Sequence, residues 1–100
     1  MKERNNEKKR EEIFKRLKIV LINMLKIMRE KKEENRPPLN WNTDLIEDLG
    51  VDSLESMDLM NAIEEEFQVS PNLNEANTRR TISQIVDYIL ELEAQKNMRS

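Results

Sequence analysis

The chain has 100 residues, 37% of them hydrophobic and 37% charged, and a formal net charge of −3 at pH 7. It contains no histidine and no cysteine, which excludes a Ser-His-Asp triad, a His/Cys metal site and disulfide bonds. One glycine, three prolines and few aromatic residues argue against a strand-rich fold and favour a single all-α domain.

Charge is divided unequally along the chain. Residues 1–36 hold 13 Lys and Arg against 7 Asp and Glu, whereas residues 37–100 hold 4 against 13. The acidic part would repel nucleic acid and attract basic protein surfaces, so nucleic-acid binding is not expected. The longest apolar run, residues 19–22, is far too short for a membrane span, and the charged N-terminus lacks the apolar region of a secretory signal. We therefore expect a cytoplasmic protein without stable membrane insertion.

A first helix is predicted from about Glu11 to Lys32, because apolar residues recur there at helical spacing. Ile19 and Ile22 fall on the side expected to face solvent, and Arg36-Pro37-Pro38 stops any helix. The expected buried stripe comprises Ile13, Leu17, Val20, Met24 and Met28, widened by Phe14, Leu21, Leu25 and Ile27.

The chain is predicted to divide into a charged N-terminal arm (residues 1–12), a helical bundle (13–93) and a polar C-terminal tail (94–100). Two interpretations of the basic residues near the N-terminus are open. They form a solvated helix end, or they contact an acidic partner or an anionic membrane surface. These residues are Lys8, Lys9, Arg10, Lys15, Arg16 and Lys18.

The rest of the bundle follows from local start and stop signals. A second helix is predicted over Ser53–Phe67, a short helical turn within 73–79, and a last helix from Thr81, its cap, to about Glu93. Leu92 and the tail from 95 to 100 are expected to fray. The core contacts expected outside the first helix are Leu45, Ile46 and Leu49 in the loop and Ile82, Ile85, Val86 and Ile89 in the last helix.

The second helix has two apolar faces. Its core stripe is Leu59, Met60, Ala62, Ile63 and Phe67. On the opposite face, Leu54 and Met57 lie among the polar residues Asp58, Asn61, Glu64 and Glu65. An apolar pair surrounded by charge is typical of a partner-binding patch, although cover by the first helix would also explain it.

Ser53 also has two interpretations. Either Ser53 or Asp52 caps the helix, since both residue types are preferred caps. Alternatively, Ser53 is a site of attachment. A serine in the first helical turn lies beside unpaired backbone N–H groups and the positive end of the helix dipole, which would stabilise a phosphate ester.

Asp48-Leu49-Gly50-Val51-Asp52-Ser53-Leu54, followed by the acidic run from Asn61 to Phe67, resembles the acyl carrier proteins, a family of phosphopantetheine-attachment carriers. The resemblance covers about residues 39–92 and includes Tyr88. It implies a four-helix bundle of three main helices and one short helix, here with an extended N-terminal helix or arm.

The resemblance further implies that Ser53 carries 4′-phosphopantetheine, transferred from coenzyme A by a holo-acyl-carrier synthase or another phosphopantetheinyl transferase. It places Asp52 nearest the metal during that transfer. The resulting phosphoprotein would hold acyl groups as thioesters without being an enzyme itself, and would act as a monomer. Acyl-transferring, condensing or acyl-activating enzymes with basic patches are its implied partners. They would dock on Leu54, Met57, Asp58, Asn61, Glu64 and Glu65.

Departures from the family pattern suggest a specialised stand-alone carrier in a fatty-acid, lipid or polyketide pathway. Asn61 replaces a commonly apolar residue on the docking face, and Arg79 lies where an apolar core contact is usual. Two alternatives are a peptidyl or aminoacyl carrier of a non-ribosomal or D-alanine pathway, and a helical interaction module with no prosthetic group.

Overall fold

The computed structural model describes the backbone of residues 2–99 and the side chains of residues 6–96. Across that range the chain is helical, and its one β pairing is an isolated bridge between Asp44 and Thr81. No helix in the described part is long and apolar enough to cross a bilayer. The elements are α1 (Lys2–Met24), α2 (Lys26–Arg29), a 3₁₀ turn (Glu33–Asn35), α3 (Ser53–Phe67), α4 (Leu73–Ala76) and α5 (Ile82–Arg99).

The predicted acyl-carrier-like bundle is confirmed. Helices α1, α3 and α5 are its three main helices and α4 is the short one, while α2 is an additional short segment. Helix α1 packs along both α5 and α3. Each buried leucine or isoleucine of the shared core contributes roughly 1.5–3 kcal/mol relative to an exposed one. The central core residues are Leu17, Leu21, Leu25, Leu59, Ile63, Ile82, Val86 and Ile89.

The predicted bounds of the first helix are wrong at both ends. Helix α1 begins at Lys2 rather than near Glu11, so residues 2–12 of the predicted charged arm form its first turns, and Met1 lies outside the described residues. It ends at Met24, because Leu25 adopts an extended conformation (φ −77°, ψ 130°) and α2 starts anew at Lys26. The Lys26 N–H released by this break donates to the Glu55 carboxylate of α3 over 3.3 Å.

Three of the six N-terminal basic residues contact the bundle itself. The Arg10 guanidinium donates to Asp87 (2.7 Å) on α5 and lies 4.8 Å from the centre of the Trp41 ring. Arg16 pairs with Glu66 over 2.9 Å and lies over the Phe67 ring. Lys18 lies over the Phe14 ring, whereas Lys8, Lys9 and Lys15 are exposed. These contacts favour an intramolecular role for half of the basic set.

The loop before α3 confirms two predicted core contacts and overturns a third. Leu45 and Leu49 are buried, but Ile46 is 54% exposed. The Asp44 carboxylate accepts hydrogen bonds from the N–H groups of Ile46 (2.8 Å) and Glu47 (2.9 Å). This turn directs the Leu45 side chain inward, and leaves its neighbour Ile46 at the surface.

The predicted fraying of the C-terminal helix is also wrong. Leu92 is buried, and α5 continues to Arg99. The segment after α3 stabilises this extension, since the Lys96 ammonium donates to the Gln68 carbonyl over 3.0 Å. The predicted cap of α5 is confirmed: the Thr81 hydroxyl accepts from the Gln84 N–H over 3.2 Å.

Candidate functional site

The turn before α3 sets the direction in which that helix starts. Gly50 has φ +66°, a left-handed conformation that other residues adopt only with strain. Nothing lies within 4 Å of the position where a Cβ would be, so the backbone conformation, and not space, requires glycine. Val51 then buries its side chain, which anchors the start of α3 to the core.

Asp52 is the cap of α3. Its backbone is extended (φ −97°, ψ −175°), and its carboxylate accepts a hydrogen bond from the Glu55 N–H over 2.8 Å. The sequence left Asp52 and Ser53 as equal candidates for this role, and the geometry assigns it to Asp52. A cap of this kind satisfies one of the unpaired N–H groups in the first turn.

Ser53 is the first residue of α3 and is exposed to solvent. Within the described part of the chain, its hydroxyl takes part in no side-chain hydrogen bond, and the cap is provided by Asp52. The hydroxyl therefore lies at the positive end of a 15-residue helix, and the side-chain hydrogen bonds of the described residues do not involve it. This arrangement suits a hydroxyl that becomes an anionic ester.

Glu55 links the start of α3 to the break between α1 and α2. It is half-buried, and its carboxylate accepts from the Lys26 N–H, 29 residues earlier in the chain. Glu55 is also the acidic residue in the first turn of α3, where its charge stabilises the positive end of the helix dipole. The pairing with Lys26 was missed because no local signal marks an unsatisfied N–H so far away in the chain.

The outward face of α3 is uncovered, as the partner-binding interpretation predicts. Leu54 is 74% exposed and Met57 is 54% exposed, so α1 and the neighbouring loop leave both open to solvent. The four predicted polar residues of this face are exposed as well: Asp58, Asn61, Glu64 and Glu65. We call these six residues, which the family resemblance predicts to be a docking surface, the docking face.

The acids of the docking face differ from their neighbour Glu66. Glu66 pairs with Arg16 on α1. Among the side chains that the structure describes, Asp58, Glu64 and Glu65 form no ion pair. Their charge is therefore available to a cationic surface on another protein.

Tyr88 of α5 connects this helix to α4. Its buried hydroxyl accepts from the Asn72 N–H over 2.8 Å and lies 3.1 Å from a Glu75 carboxylate oxygen. Burial raises the pKa of the Tyr88 phenol above its usual value, with Glu75 adding to the rise. Arg79, expected where the resembling family has an apolar contact, places its guanidinium 5.0 Å from the centre of the Tyr88 ring. A cation over an aromatic face thus covers this edge of the core.

A family model described as a phosphopantetheine attachment site matches residues 24–89, more than half of the chain. The matched segment includes the Gly50 turn, the whole of α3 with its docking face, and α4. Most of α1 and the C-terminal half of α5 lie outside it.

Proposed function

The chain belongs to the family of phosphopantetheine-attachment carrier proteins, whose members bear covalently attached 4′-phosphopantetheine, and we propose that it is an acyl carrier protein with the arm on Ser53 Oγ. The observation that supports this proposal is that the two residues at the start of α3 have different roles. Asp52 caps the helix, which leaves the Ser53 hydroxyl exposed and unengaged beside it.

The residues around Ser53 fit a phosphodiester at that position. The first-turn N–H groups of α3 and the helix dipole stabilise an anion there. Gly50 turns the chain just before α3, and apart from its chain neighbours no atom lies within 4 Å of the position that a Cβ would take. For the transfer from coenzyme A, we assign Asp52 to the transferase-bound metal, because it directly precedes Ser53 in the chain.

The arm supplies a terminal thiol that holds an acyl group as a thioester. This chain contributes the rest: a rigid point of attachment and a surface that partners recognise. A tether of this kind raises the effective concentration of the acyl group in each docked active site. In this proposal the protein performs no catalysis, and its partner enzymes carry out every reaction of the cargo.

The docking face is proposed to receive those partners. Leu54 and Met57 supply exposed apolar contacts, and the exposed acids Asp58, Glu64 and Glu65 are proposed to face Arg/Lys patches of the partners. Charges at the rim of an interface mostly accelerate and orient association, which suits a carrier that must leave each enzyme quickly. Asn61 also belongs to this face, where the resembling family commonly has an apolar residue.

We assign the carrier to a specialised fatty-acid, lipid or polyketide pathway in the cytoplasm, acting as a monomer. Asn61 on the docking face and the arginines Arg79 and Arg80 before α5 support this assignment, since they change surfaces that partners and cargo meet. Elongation of its acyl form by general fatty-acid ketosynthases at ordinary rates would contradict it.

Intact-mass spectrometry tests the attachment. The purified apo protein is incubated with coenzyme A, magnesium and a promiscuous phosphopantetheinyl transferase. We expect a gain of one phosphopantetheine in the wild type and none in Ser53→Ala. Ser56→Ala is the matched control, because Ser56 lies one helical turn further on, and this variant should load normally. Absence of any gain in folded wild-type protein across several transferases would reject the proposal.

A further inference from the structure

One row of side chains on α1 is exposed beside α3. Lys15, Ile19 and Asn23 follow each other at intervals of four residues, so they lie on one side of the helix. Ile19 is 60% exposed, and the other two are exposed as well. Lys26, at the start of α2, is also exposed. We call these four residues the basic face.

The basic face and the docking face have opposite charges. Residues 13–29 contain five Lys and Arg and no Asp or Glu, whereas α3 contains five Asp and Glu and no Lys or Arg. Among the side chains that the structure describes, Lys15 and Lys26 form no ion pair, as is also true of the docking-face acids. Each face also holds exposed apolar surface, Ile19 on one and two side chains on the other. The two faces are therefore complementary in charge.

A shallow groove between α1 and α3 joins the two faces. Val20, Met24 and Ala62, which are all half-buried, form its floor. Asn23 of the basic face and Glu65 of the docking face line its edges. The two faces thus lie side by side on one surface of the molecule, with an apolar strip between them.

Two contacts fix how α1 and α3 lie alongside each other. Arg16 pairs with Glu66 over 2.9 Å near the end of α3, and the Lys26 N–H donates to Glu55 over 3.3 Å near its start. The two helices are therefore antiparallel. Lys15 lies at the height of the end of α3 and Lys26 at the height of its start, so the two faces are matched in length.

This arrangement is self-complementary. A twofold rotation about an axis along the groove would place the basic face of a second copy over the docking face of the first, and would form the reverse contact at the same time. The rotation leaves heights along the groove unchanged. Lys15 of the second copy would then lie opposite Glu65 of the first, and Lys26 within about one helical turn of Asp58. Ile19 would lie between these two pairs of charges.

We propose that the basic face and the docking face bind each other in two copies of this chain, which form a symmetric and reversible dimer. A second copy satisfies both faces at once, whereas an acidic patch on another protein would fit only the basic one. The dimer covers the docking face, so it is a resting form, and the monomer is the form that partner enzymes engage. Self-association follows from the two faces alone, while its effect on docking rests on the proposed function.

The size of the two faces limits the strength of the dimer. Helix α3 has 15 residues and is about 22 Å long, and two adjacent helices are about 20 Å wide. The resulting footprint of roughly 400 Å² per copy is about half of that in a stable complex. We therefore expect a Kd in the micromolar to millimolar range, which lets partner enzymes compete for the docking face.

Sedimentation equilibrium of the purified apo protein measures the pairing. We expect a monomer–dimer equilibrium at low ionic strength that shifts toward the monomer when salt is added, since the charges are exposed. Lys15→Glu and Ile19→Glu should each raise the Kd roughly 10-fold or more, because every contact is made twice in a symmetric dimer. Both residues are exposed, so both variants should remain folded.

Two matched controls carry the same substitutions outside the faces. Lys8→Glu makes the same change of charge about two turns before Lys15, beyond the end of α3. Ile46→Glu makes the same change from apolar to acidic at an exposed position in the loop before α3. Both variants should keep the Kd of the wild type to within about threefold.

A charge exchange tests the arrangement of the two copies. Glu65→Lys alone should weaken the dimer as Lys15→Glu does. An equimolar mixture of these two variants should regain the wild-type affinity to within about threefold. The reason is that each mixed dimer has one native contact between positions 15 and 65, and one in which the two charges are exchanged.

Loading by a phosphopantetheinyl transferase tests whether the dimer covers the docking face. Initial rates are measured with catalytic amounts of transferase and saturating coenzyme A. Above the Kd, Ile19→Glu should load faster than the wild type, by up to the ratio of their monomer fractions. Well below the Kd, the two proteins should load at equal rates.

The possible failures are distinguishable. A wild-type protein that stays monomeric at millimolar concentration and low salt overturns the proposal, as does a dimer whose Kd neither α1 variant changes. A mixture that fails to associate contradicts the twofold arrangement, and equal loading above the Kd contradicts the covering of the docking face. A protein that pairs as expected but does not load contradicts the carrier function and supports the pairing.

Discussion

The assignment of the α3 cap to Asp52 makes the effects of two adjacent substitutions separable. In the structure, the Asp52 carboxylate accepts from the Glu55 N–H, and the Ser53 hydroxyl is exposed. Asp52→Ala should therefore destabilise the fold, whereas Ser53→Ala should leave it intact and abolish loading. A serine that served only as a cap would give the reverse order of stabilities.

The magnitudes follow from the capping bond. Loss of a side-chain cap costs about 0.5–2 kcal/mol, typically ~1 kcal/mol, which lowers the Tm by about 4–8 °C in a domain of this size. Ser53→Ala replaces an exposed first-turn residue with a better helix former, so its effect should lie within about 0.5 kcal/mol of zero. Asp52→Asn retains a cap of equal quality and removes only the charge.

Urea unfolding followed by circular dichroism measures the three variants under identical conditions. We expect Asp52→Asn to match the wild type in free energy of unfolding but to load more slowly, which isolates the role assigned to the Asp52 charge. A loss of stability in Ser53→Ala as large as that in Asp52→Ala would refute the assignment of the cap.

Further predictions concern the fold behind the site, its pH dependence and its docking face. Tyr88→Phe should lower the free energy of unfolding by about 1–3 kcal/mol, because it leaves the Asn72 N–H without its partner. The pKa of the Asp44 carboxyl is held below its usual value, chiefly by the hydrogen bond from the Glu47 N–H. Its contribution to stability is therefore present above about pH 4 and lost as the pH falls through its folded pKa. Glu65→Lys should lower kcat/KM for the transferase at low salt without changing stability, since Glu65 is exposed.

Each of these predictions has its own control. Denaturant unfolding at several pH values compares the free energy of unfolding of the wild type with that of Asp44→Asn. The difference between the two free energies should shrink toward pH 3. A difference that grows there contradicts the assigned role of the Asp44 carboxylate. For the docking face, the same charge reversal at exposed Glu11 on α1 should leave kcat/KM unchanged. Equal losses in both variants would indicate a general charge effect. A Tyr88→Phe variant as stable as the wild type would show that the hydroxyl contacts contribute little.

Local signals were sufficient to predict α3 and its surroundings. The helix runs over Ser53–Phe67 as its capping residues and apolar period indicate, and its outward face is exposed as the helical wheel requires. The family pattern from Asp48 to Leu54 covers the turn before α3 and the first two residues of the helix. These features depend on neighbours within one or two turns, which a single sequence contains.

The features that the sequence did not predict depend on residues far apart in the chain. The break at Leu25 follows neither a glycine nor a proline, and the N–H it releases is bound by Glu55 of another helix. Leu92 is buried although it lies near the end of the last apolar stripe, in the part of α5 where Lys96 donates to the Gln68 carbonyl after α3. The exposure of Ile46 beside buried Leu45 depends on the turn that Asp44 forms.

The ion pairs of Arg80 with Asp44 and Glu47 could not be foreseen for the same reason. Arg80 and Asp44 are 36 residues apart, and nothing in their local sequence connects them. The sequence did identify the region as unusual, because Arg79 departs from the resembling family there. Only the folded chain shows that its neighbour Arg80 pairs with Asp44.

The measurement that tests the account most directly is to locate the modification within the loaded protein. After transfer from coenzyme A, the protein is digested and the peptide that contains Ser53 is fragmented by tandem mass spectrometry. The account predicts phosphopantetheine on Ser53 alone, with Ser56 unmodified. Attachment at Ser56 or at any other hydroxyl would contradict it, because the exposed and unengaged Ser53 hydroxyl at the start of α3 would then have no part in carrying the arm.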